Sequence, residues 1–284
     1  MGIDKIIKKD TEEYGTSKAS QTGTQNRSKV PFAVAEAYKS IRTNIMFLLP
    51  QKKGNVITVS GSEMSEGKST TAINVVIAFS QLGDKVLLID ADMRRSSIHK
   101  KLKLDNDTGL SNVLAGFCEF KDAVKSVSPT LDVLTAGQLA PNPSELLGSE
   151  RFEKLIEQIR KNYSMVIIDT PPINVVSDAL VIAPKTDGII LVVREKFTLS
   201  DALQSSIEAI NFANVKLLGA IMNGVAQKSK GYSYSKYRYM NKYYKYGSKS
   251  GYGYGYGGYG YGGYGYSSPR PAGNPNDIKQ DGNK

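Results

Sequence analysis

Short runs of apolar, largely β-branched residues punctuate the middle of this chain, and two of them stop at an aspartate. The runs are Val56–Ser60, Val86–Asp90, Leu131–Leu134, Met165–Asp169, Gly188–Val193 and Lys216–Met222. Several are apolar throughout, as strands buried on both faces are. Between them, Ser69–Leu82, Ser149–Lys161 and Leu199–Phe212 are long enough for helices, and Gly83 reads as the C-terminal stop of the first. Glu36–Leu49 precedes the first strand, with apolar residues at 38, 41, 45 and 48 at helical spacing. Buried strands alternating with helices predict an α/β fold, a mostly parallel sheet flanked by helices. Ligands then bind beyond the carboxyl ends of the strands. Ser60, Asp90 and Asp169 fall there.

Three motifs occupy those ends. The first runs from Ser60 through Gly61, Ser62, Glu63, Met64, Ser65, Glu66, Gly67, Lys68 and Ser69 to Thr70, between a strand and a helix. Backbone amides of such a loop, with the helix N-terminus, surround phosphate oxygens. Lys68 would reach the β- and γ-phosphates and Ser69 would give its hydroxyl to Mg²⁺. The consensus loop opens on Gly where this chain has Ser62. In the second motif, Asp90 and Asp92 leave a strand end together, followed by Arg94 and Arg95. The carboxylates can hold Mg²⁺ and an attacking hydroxyl, and the arginines can neutralise phosphate. A solvated strand end with local ion pairs is the plain alternative. In the third, the apolar strand Met165–Asp169 ends in an Asp of the kind that holds Mg²⁺ directly or through water. An Asp that merely caps the next turn is its alternative. The order and strand-end placement of all three motifs favour nucleotide binding.

The C-terminal part cannot extend that core. Fourteen of the seventeen tyrosines lie between Tyr232 and Tyr266, among Gly, Ser and Lys. They are Tyr232, Tyr234, Tyr237, Tyr239, Tyr243, Tyr244, Tyr246, Tyr252, Tyr254, Tyr256, Tyr259, Tyr261, Tyr264 and Tyr266. Lacking aliphatic residues and rich in Gly, this stretch is expected to be disordered. Residues 1–30 also read as a flexible segment, which leaves 31–226 as one domain and 227–284 as a low-complexity tail. Residues 228–284 hold ten Lys or Arg and two Asp, a balance of +8 out of the chain's +10. The globular part is therefore nearly neutral, which argues against nucleic acid as its partner. A lone cysteine, Cys118, fits a reducing compartment. The first residues lack a signal-peptide pattern, and no apolar run is long enough to span a bilayer.

The three motifs, in this order and with a terminal tyrosine cluster, resemble the bacterial tyrosine kinases (BY-kinases), in particular their stand-alone cytoplasmic form linked to capsule and exopolysaccharide synthesis. The likeness spans about residues 31–226 and the tail. It includes Glu36-Ala37-Tyr38-Lys39-Ser40-Ile41-Arg42, Thr108-Gly109-Leu110-Ser111, Pro141-Asn142-Pro143-Ser144-Glu145-Leu146-Leu147 and Asp178-Ala179. Three departures stand out: Met64-Ser65 where the family has Pro-Gly, Ser96 where it has Pro, and Lys39 where it has Arg. Lys39 keeps the charge without the planar fork.

The resemblance implies a P-loop fold and transfer of the ATP γ-phosphate to tyrosine oxygens, with ATP and Mg²⁺ required. Lys68 would stabilise charge, Asp90 would act as base, and Asp92 and Asp169 would serve the metal, with Asp90 and Asp92 exchangeable. Asn223 would contact adenine, a polar strand-end Asn in a turn being an equal alternative. Residues 31–50 would form an oligomerisation helix, with Glu36, Lys39 and Arg42 joining protomers into a ring, an octamer in the family. The tail tyrosines would be the acceptors, in trans. A transmembrane polysaccharide co-polymerase-like adaptor would activate the kinase at the membrane periphery, and a cognate tyrosine phosphatase would reverse it. Modifying all fourteen tyrosines would add roughly −21 charges or more and so loosen the ring.

Two other readings compete. A partition or division-type P-loop ATPase would carry an early signature Lys, but no Lys precedes Lys68 within the loop. A non-enzymatic protein binding nucleic acid or membrane through the tail would use stacking and cation–π contacts. The basic residues cluster at 228–249, however, and the Gly-Tyr repeats at 251–266 carry no charge.

Overall fold

The computed structural model describes residues 32–50 and 54–225. The expectations for residues 1–30 and for the tail, including every acceptor tyrosine, lie outside the described residues.

Each predicted strand forms within a residue of its expected bounds. In chain order the strands are β1 (Asn55–Gly61), β2 (Val86–Asp90), β3 (Lys125–Ser128), β4 (Leu131–Leu134), β5 (Met165–Asp169), β6 (Ile189–Arg194) and β7 (Leu217–Asn223). They make one seven-stranded sheet of order β3-β4-β2-β5-β1-β6-β7. All pairings are parallel except that of β3 with β4. The unpredicted β3 is a half-exposed, polar edge strand, so it carries no apolar signal.

Helices cover both faces because successive strand side chains point opposite ways. Val86 and Leu88 of β2 and Met165 and Ile167 of β5 join the core under α1 (Phe32–Leu48) and α2 (Lys68–Ser80). Leu87 and Ile89 with Val166 and Ile168 join the opposite core. There they meet α4 (Leu110–Ala115) and α7 (Glu150–Asn162), whose Phe152 and Ile159 are fully buried. At the far edge, α8 (Asp178–Ile182) and α9 (Ser200–Phe212) pack on Ile189 and Leu191. Three further short helices are α3 (Ile98–Leu102), α5 (Phe120–Ala123) and α6 (Pro143–Gly148).

The helical expectations hold with small shifts. Helix α2 ends at Ser80, and Gly83, in the left-handed region at φ 96°, follows as a stop signal should. Helix α7 begins after Ser149, whose Oγ accepts from Phe152 N at 3.4 Å. On α1 the buried face differs from the expected one. It runs through Tyr38, Ile41 and Ile45 to Leu49, while Leu48 is 46 % exposed. At 3.6 residues per turn, the position four beyond 45 stays on the core side better than the position three beyond it.

Candidate active site

The phosphate loop is built around two positions that only glycine fills without strain. After β1 ends at Gly61, the chain turns through residues 62–67 and enters α2 at Lys68. Gly67 has φ 92°, and a Cβ there would stand 2.1 Å from Asn223 Nδ2. A Cβ at Gly61 would stand 2.1 Å from the Glu66 carboxylate and 2.8 Å from the Val192 carbonyl. Ser65 also has a left-handed backbone, at φ 64°. Lys68 is buried and its Nζ donates to the Glu63 carbonyl at 2.9 Å. Burial lowers its pKa, against the raising influence of Asp169, Glu66 and Asp92.

The loop faces a pair of buried carboxylates. Strands β2 and β5 run side by side in a register that sets Asp90 opposite Asp169, both essentially inaccessible. Asp90 accepts from the backbone N–H groups of Asp92 (3.2 Å), Ser97 (3.3 Å) and Ile98 (3.2 Å). Burial outweighs those bonds and, with Asp92 nearby, pushes its pKa up to about 7. Asp169 is also raised well above the usual carboxylate range, by burial and by Asp90, although Ser69 hydrogen-bonds to it and Lys68 lies near. Its Oδ1 is buried with no hydrogen-bond partner.

An unpartnered carboxylate oxygen beside a second buried carboxylate and the Ser69 hydroxyl suits a hard cation. Among the described residues no three His, Cys, Asp or Glu side chains converge on one point. A Mg²⁺ site here would therefore be completed by water and phosphate oxygens, the usual habit of that ion. Asp169, Ser69 and Asp90 would hold it, and it would neutralise charge on the phosphates.

Lys68, Ser69, Thr70, Asp92, Arg94 and Arg95 line a cleft of about 360 Å³ beside this pair. Met64, Ser65 and Gly67 also border it, and Met64 Sδ receives Arg95 Nη1 at 3.0 Å. A larger hollow of about 430 Å³, bordered by Phe117 and Leu139, holds none of the predicted site residues. We place the site at the smaller one because the chemistry-bearing groups converge there. Asp92 is partly exposed in the cleft, with Oδ1 accepting from Arg95 N at 2.9 Å. Ser62, Glu63 and Glu66 belong to the loop but do not line the cleft, and Ser62 Oγ is buried without a partner. Asn223, at the end of β7, donates from Nδ2 to the Glu66 carbonyl at 3.1 Å.

Arg94 borders the cleft and also holds a partner outside it. It forms a bidentate pair with the fully buried Asp178, through Nε at 2.9 Å and Nη2 at 3.1 Å, and Nη2 also reaches Ser144 Oγ. Ser144 donates in turn to Asp178. A buried carboxylate is costly unless paired, and the planar guanidinium suits two oxygens at once. On α1, Glu36 and Lys39 pair with each other at 2.8 Å, and Arg42 Nη1 donates to the Ala78 carbonyl of α2 at 2.7 Å.

Sequence reasoning missed Thr198 and Arg194, which brace the phosphate loop. Thr198 donates to Glu66 at 2.7 Å and Arg194 donates to the Ser65 carbonyl at 3.1 Å. Neither belongs to a local motif, and their partners lie about 130 residues away.

Comparison with known proteins agrees with this geometry. A family model described as an AAA domain matches residues 54–218. The tyrosine-protein kinase YwqD of Bacillus subtilis (strain 168) is 41 % identical over 191 residues, covering 67 % of this chain and 81 % of that protein. The crystal structure of the chimerical protein CapA2B2 superposes with a TM-score of 0.65 at 36 % identity, covering 72 % of this chain and 88 % of that one. The kinase domain of the Escherichia coli tyrosine kinase ETK gives a TM-score of 0.66 at 32 % identity, covering 75 % and 86 %. Of the full Etk kinase of Escherichia coli (strain K12), the chain spans 28 %. The fold implies nucleotide binding. With its phosphate loop, its paired strand-end aspartates and these relatives, the chain belongs to the bacterial tyrosine-protein kinases.

Proposed function

We propose that this protein moves the γ-phosphoryl group of ATP to tyrosine hydroxyls, and that its own tyrosines from Tyr232 to Tyr266 are the first acceptors. The observation that carries the reading is the buried Asp90–Asp169 pair facing Lys68 and Ser69 at the mouth of a cleft. A phenol has a pKa near 10 and needs a base and in-line placement to react. Geometry ranks before pKa in choosing that base. Asp92 lines the cleft, whereas Asp90 is buried with both oxygens held by backbone amides. Of the two exchangeable roles, contact with the incoming phenol therefore suits Asp92, and the metal side suits Asp90 with Asp169. Lys68 and the loop amides steady charge on the transferred group. Asn223 stands against the loop, where it can also meet the base of the nucleotide.

Trans transfer within a homo-oligomeric ring fits the tail's reach. Thirty extended residues span at most about 100 Å. Regulation of capsule or exopolysaccharide synthesis, activation by a membrane adaptor and reversal by a phosphatase complete the proposal. Among the described residues no helix is long and apolar enough to cross a membrane, so an adaptor is the route proposed to the membrane surface.

The test is the purified full chain with Mg-ATP, with and without the cytosolic segment of an adaptor, blotted for phosphotyrosine. Signal in the wild type and none in Lys68→Met is the expected result. Signal that survives Lys68→Met, or none with the adaptor present, overturns the reading.

A further inference from the structure

The loop between β6 and α9 never reaches the cleft, yet it is bonded to the back of the phosphate loop. Glu66 is fully buried. One of its carboxylate oxygens accepts from Glu63 N at 3.1 Å, and the other accepts from Thr198 Oγ1 at 2.7 Å. Thr198 Oγ1 is itself fixed, because it accepts from Arg194 N at 2.9 Å. The missing side chain at Gly61 leaves the space the carboxylate occupies. A second tie joins the same parts. Glu195 N donates to the Asn223 carbonyl at 2.9 Å, and Asn223 Nδ2 donates to the Glu66 carbonyl.

A buried carboxylate is retained only when its lone pairs are satisfied. Here the donors are one amide of the phosphate loop and one hydroxyl from a distant loop. The carboxylate thus links the two mechanically. Removing the hydroxyl leaves Glu66 short of a donor, and a shift of its carboxylate is passed directly to Glu63, the residue whose carbonyl parks Lys68.

We propose that Thr198 is a positioning residue for nucleotide binding: through Glu66 it holds the phosphate loop in its binding shape without touching the nucleotide. The proposal rests on the nucleotide-binding reading above. It predicts a defect in affinity that the hydroxyl alone repairs, and one that disappears once Glu66 can no longer accept its bond.

The experiment is titration calorimetry of the full chain with Mg-ADP, comparing wild type, Thr198→Val, Thr198→Ser, Glu66→Ala and the Thr198→Val/Glu66→Ala double variant. Valine matches threonine in shape, so packing is conserved. Expected is about a tenfold weaker Kd for Thr198→Val, the loss of roughly one hydrogen bond to a charged group. Thr198→Ser should return to within about threefold of wild type, and Thr198→Val should add nothing on the Glu66→Ala background. In the kinase assay the loss should appear in KM for ATP rather than in kcat. Wild-type affinity in Thr198→Val, failure of Ser to rescue, or full additivity with Glu66→Ala overturns the inference while leaving the nucleotide site intact. A wild type that does not bind Mg-ADP overturns both readings. Should Thr198→Val fail to fold, Thr198→Ser against Thr198→Ala repeats the comparison.

Discussion

Asp90 and Asp169 end adjacent parallel strands in the same register, so two buried carboxylates lie side by side at the carboxyl edge of the sheet. Asp90 raises the proton affinity of Asp169 beyond what burial does alone. The arrangement stores electrostatic conflict that a cation would relieve.

Replacing Asp169 by Asn should stabilise the nucleotide-free protein while abolishing kinase activity. A carboxylate with a folded pKa above its unfolded value adds stability that is complete below the unfolded pKa and lost as pH rises through the folded one. For Asp90 that loss runs from about pH 4 to about pH 7. The Asn variant removes one charge of the pair, so its melting temperature at pH 8 should exceed wild type by roughly 2–4 °C, about 1 kcal/mol. Thermal melts at pH 6 and pH 8 without divalent ions check this. A variant less stable than wild type at pH 8 would mean the two charges are not in conflict.

Activity should rise with pH through about 7, and the midpoint should depend on Mg²⁺. The cation and the proton compete for the same carboxylates, with Asp90 raised to about 7. Raising Mg²⁺ tenfold in the limiting range should therefore move the midpoint to lower pH. Initial rates across pH 5.5–8.5 at two Mg²⁺ concentrations measure it. A midpoint indifferent to Mg²⁺ would place the titrating group elsewhere.

Arg94→Ala should cost stability, not only activity. Its guanidinium is the cation paired with Asp178, which has no exposure of its own. Removing it leaves a buried carboxylate with Ser144 as its remaining side-chain donor. Because Arg94 is 40 % exposed, the cost is about 1–3 kcal/mol, below that of a fully buried pair. Urea melts of Arg94→Ala and Arg95→Ala separate the cases, since Arg95 has no such partner role and should change stability little.

The parallel sheet was legible because strands buried on both faces must be apolar throughout, as Val86–Asp90 and Met165–Asp169 are. The edge strand β3, with Lys125, Ser126 and Ser128 partly exposed, sends no such signal. Helices of four to six residues, such as Phe120–Ala123 and Pro143–Gly148, are too short to show a 3.6-residue period. The aspartates and Lys68 were visible because strand ends and a glycine loop fix them locally. The bonds Thr198–Glu66 and Arg94–Asp178 were not, because each joins parts of the chain more than 80 residues apart. A motif names the groups that touch a ligand. It does not name the tertiary contacts that hold those groups in place.

Tyr163 should remain unmodified in the folded kinase even at high ATP. It is buried, its ring lies edge-on to Phe120, and its hydroxyl donates to Asp132 at 2.7 Å. Burial and that carboxylate raise its pKa, opposite to what an acceptor needs. Lys85 closes the group, 2.8 Å from Asp132. Mass spectrometry after exhaustive reaction should find phosphate on tail tyrosines and none on Tyr163. Tyr163→Phe should leave activity intact and cost about 1 kcal/mol through the lost hydrogen bond to Asp132, whose Oδ2 keeps Lys85 as a partner.

Arg42 tests what α1 is for. The sequence resemblance gives Glu36, Lys39 and Arg42 to contacts between protomers, but in this structure Arg42 donates to the Ala78 carbonyl within its own chain. That carbonyl lies in the last turn of α2, where carbonyls lack helical donors and the helix dipole favours a cation. Arg42→Ala should therefore lower the stability of α1 docking by about 1.5–3 kcal/mol at every protein concentration. Glu36 and Lys39 form an exposed pair three residues apart, so Ala at either position should change stability by less than about 0.5 kcal/mol. Light scattering and thermal melts over a hundredfold concentration range distinguish the two functions. A concentration-independent loss for Arg42→Ala assigns it to the fold of one chain. A loss that appears only where the wild type is oligomeric, with equal stability on dilution, assigns it to the neighbour instead and makes the Ala78 bond incidental.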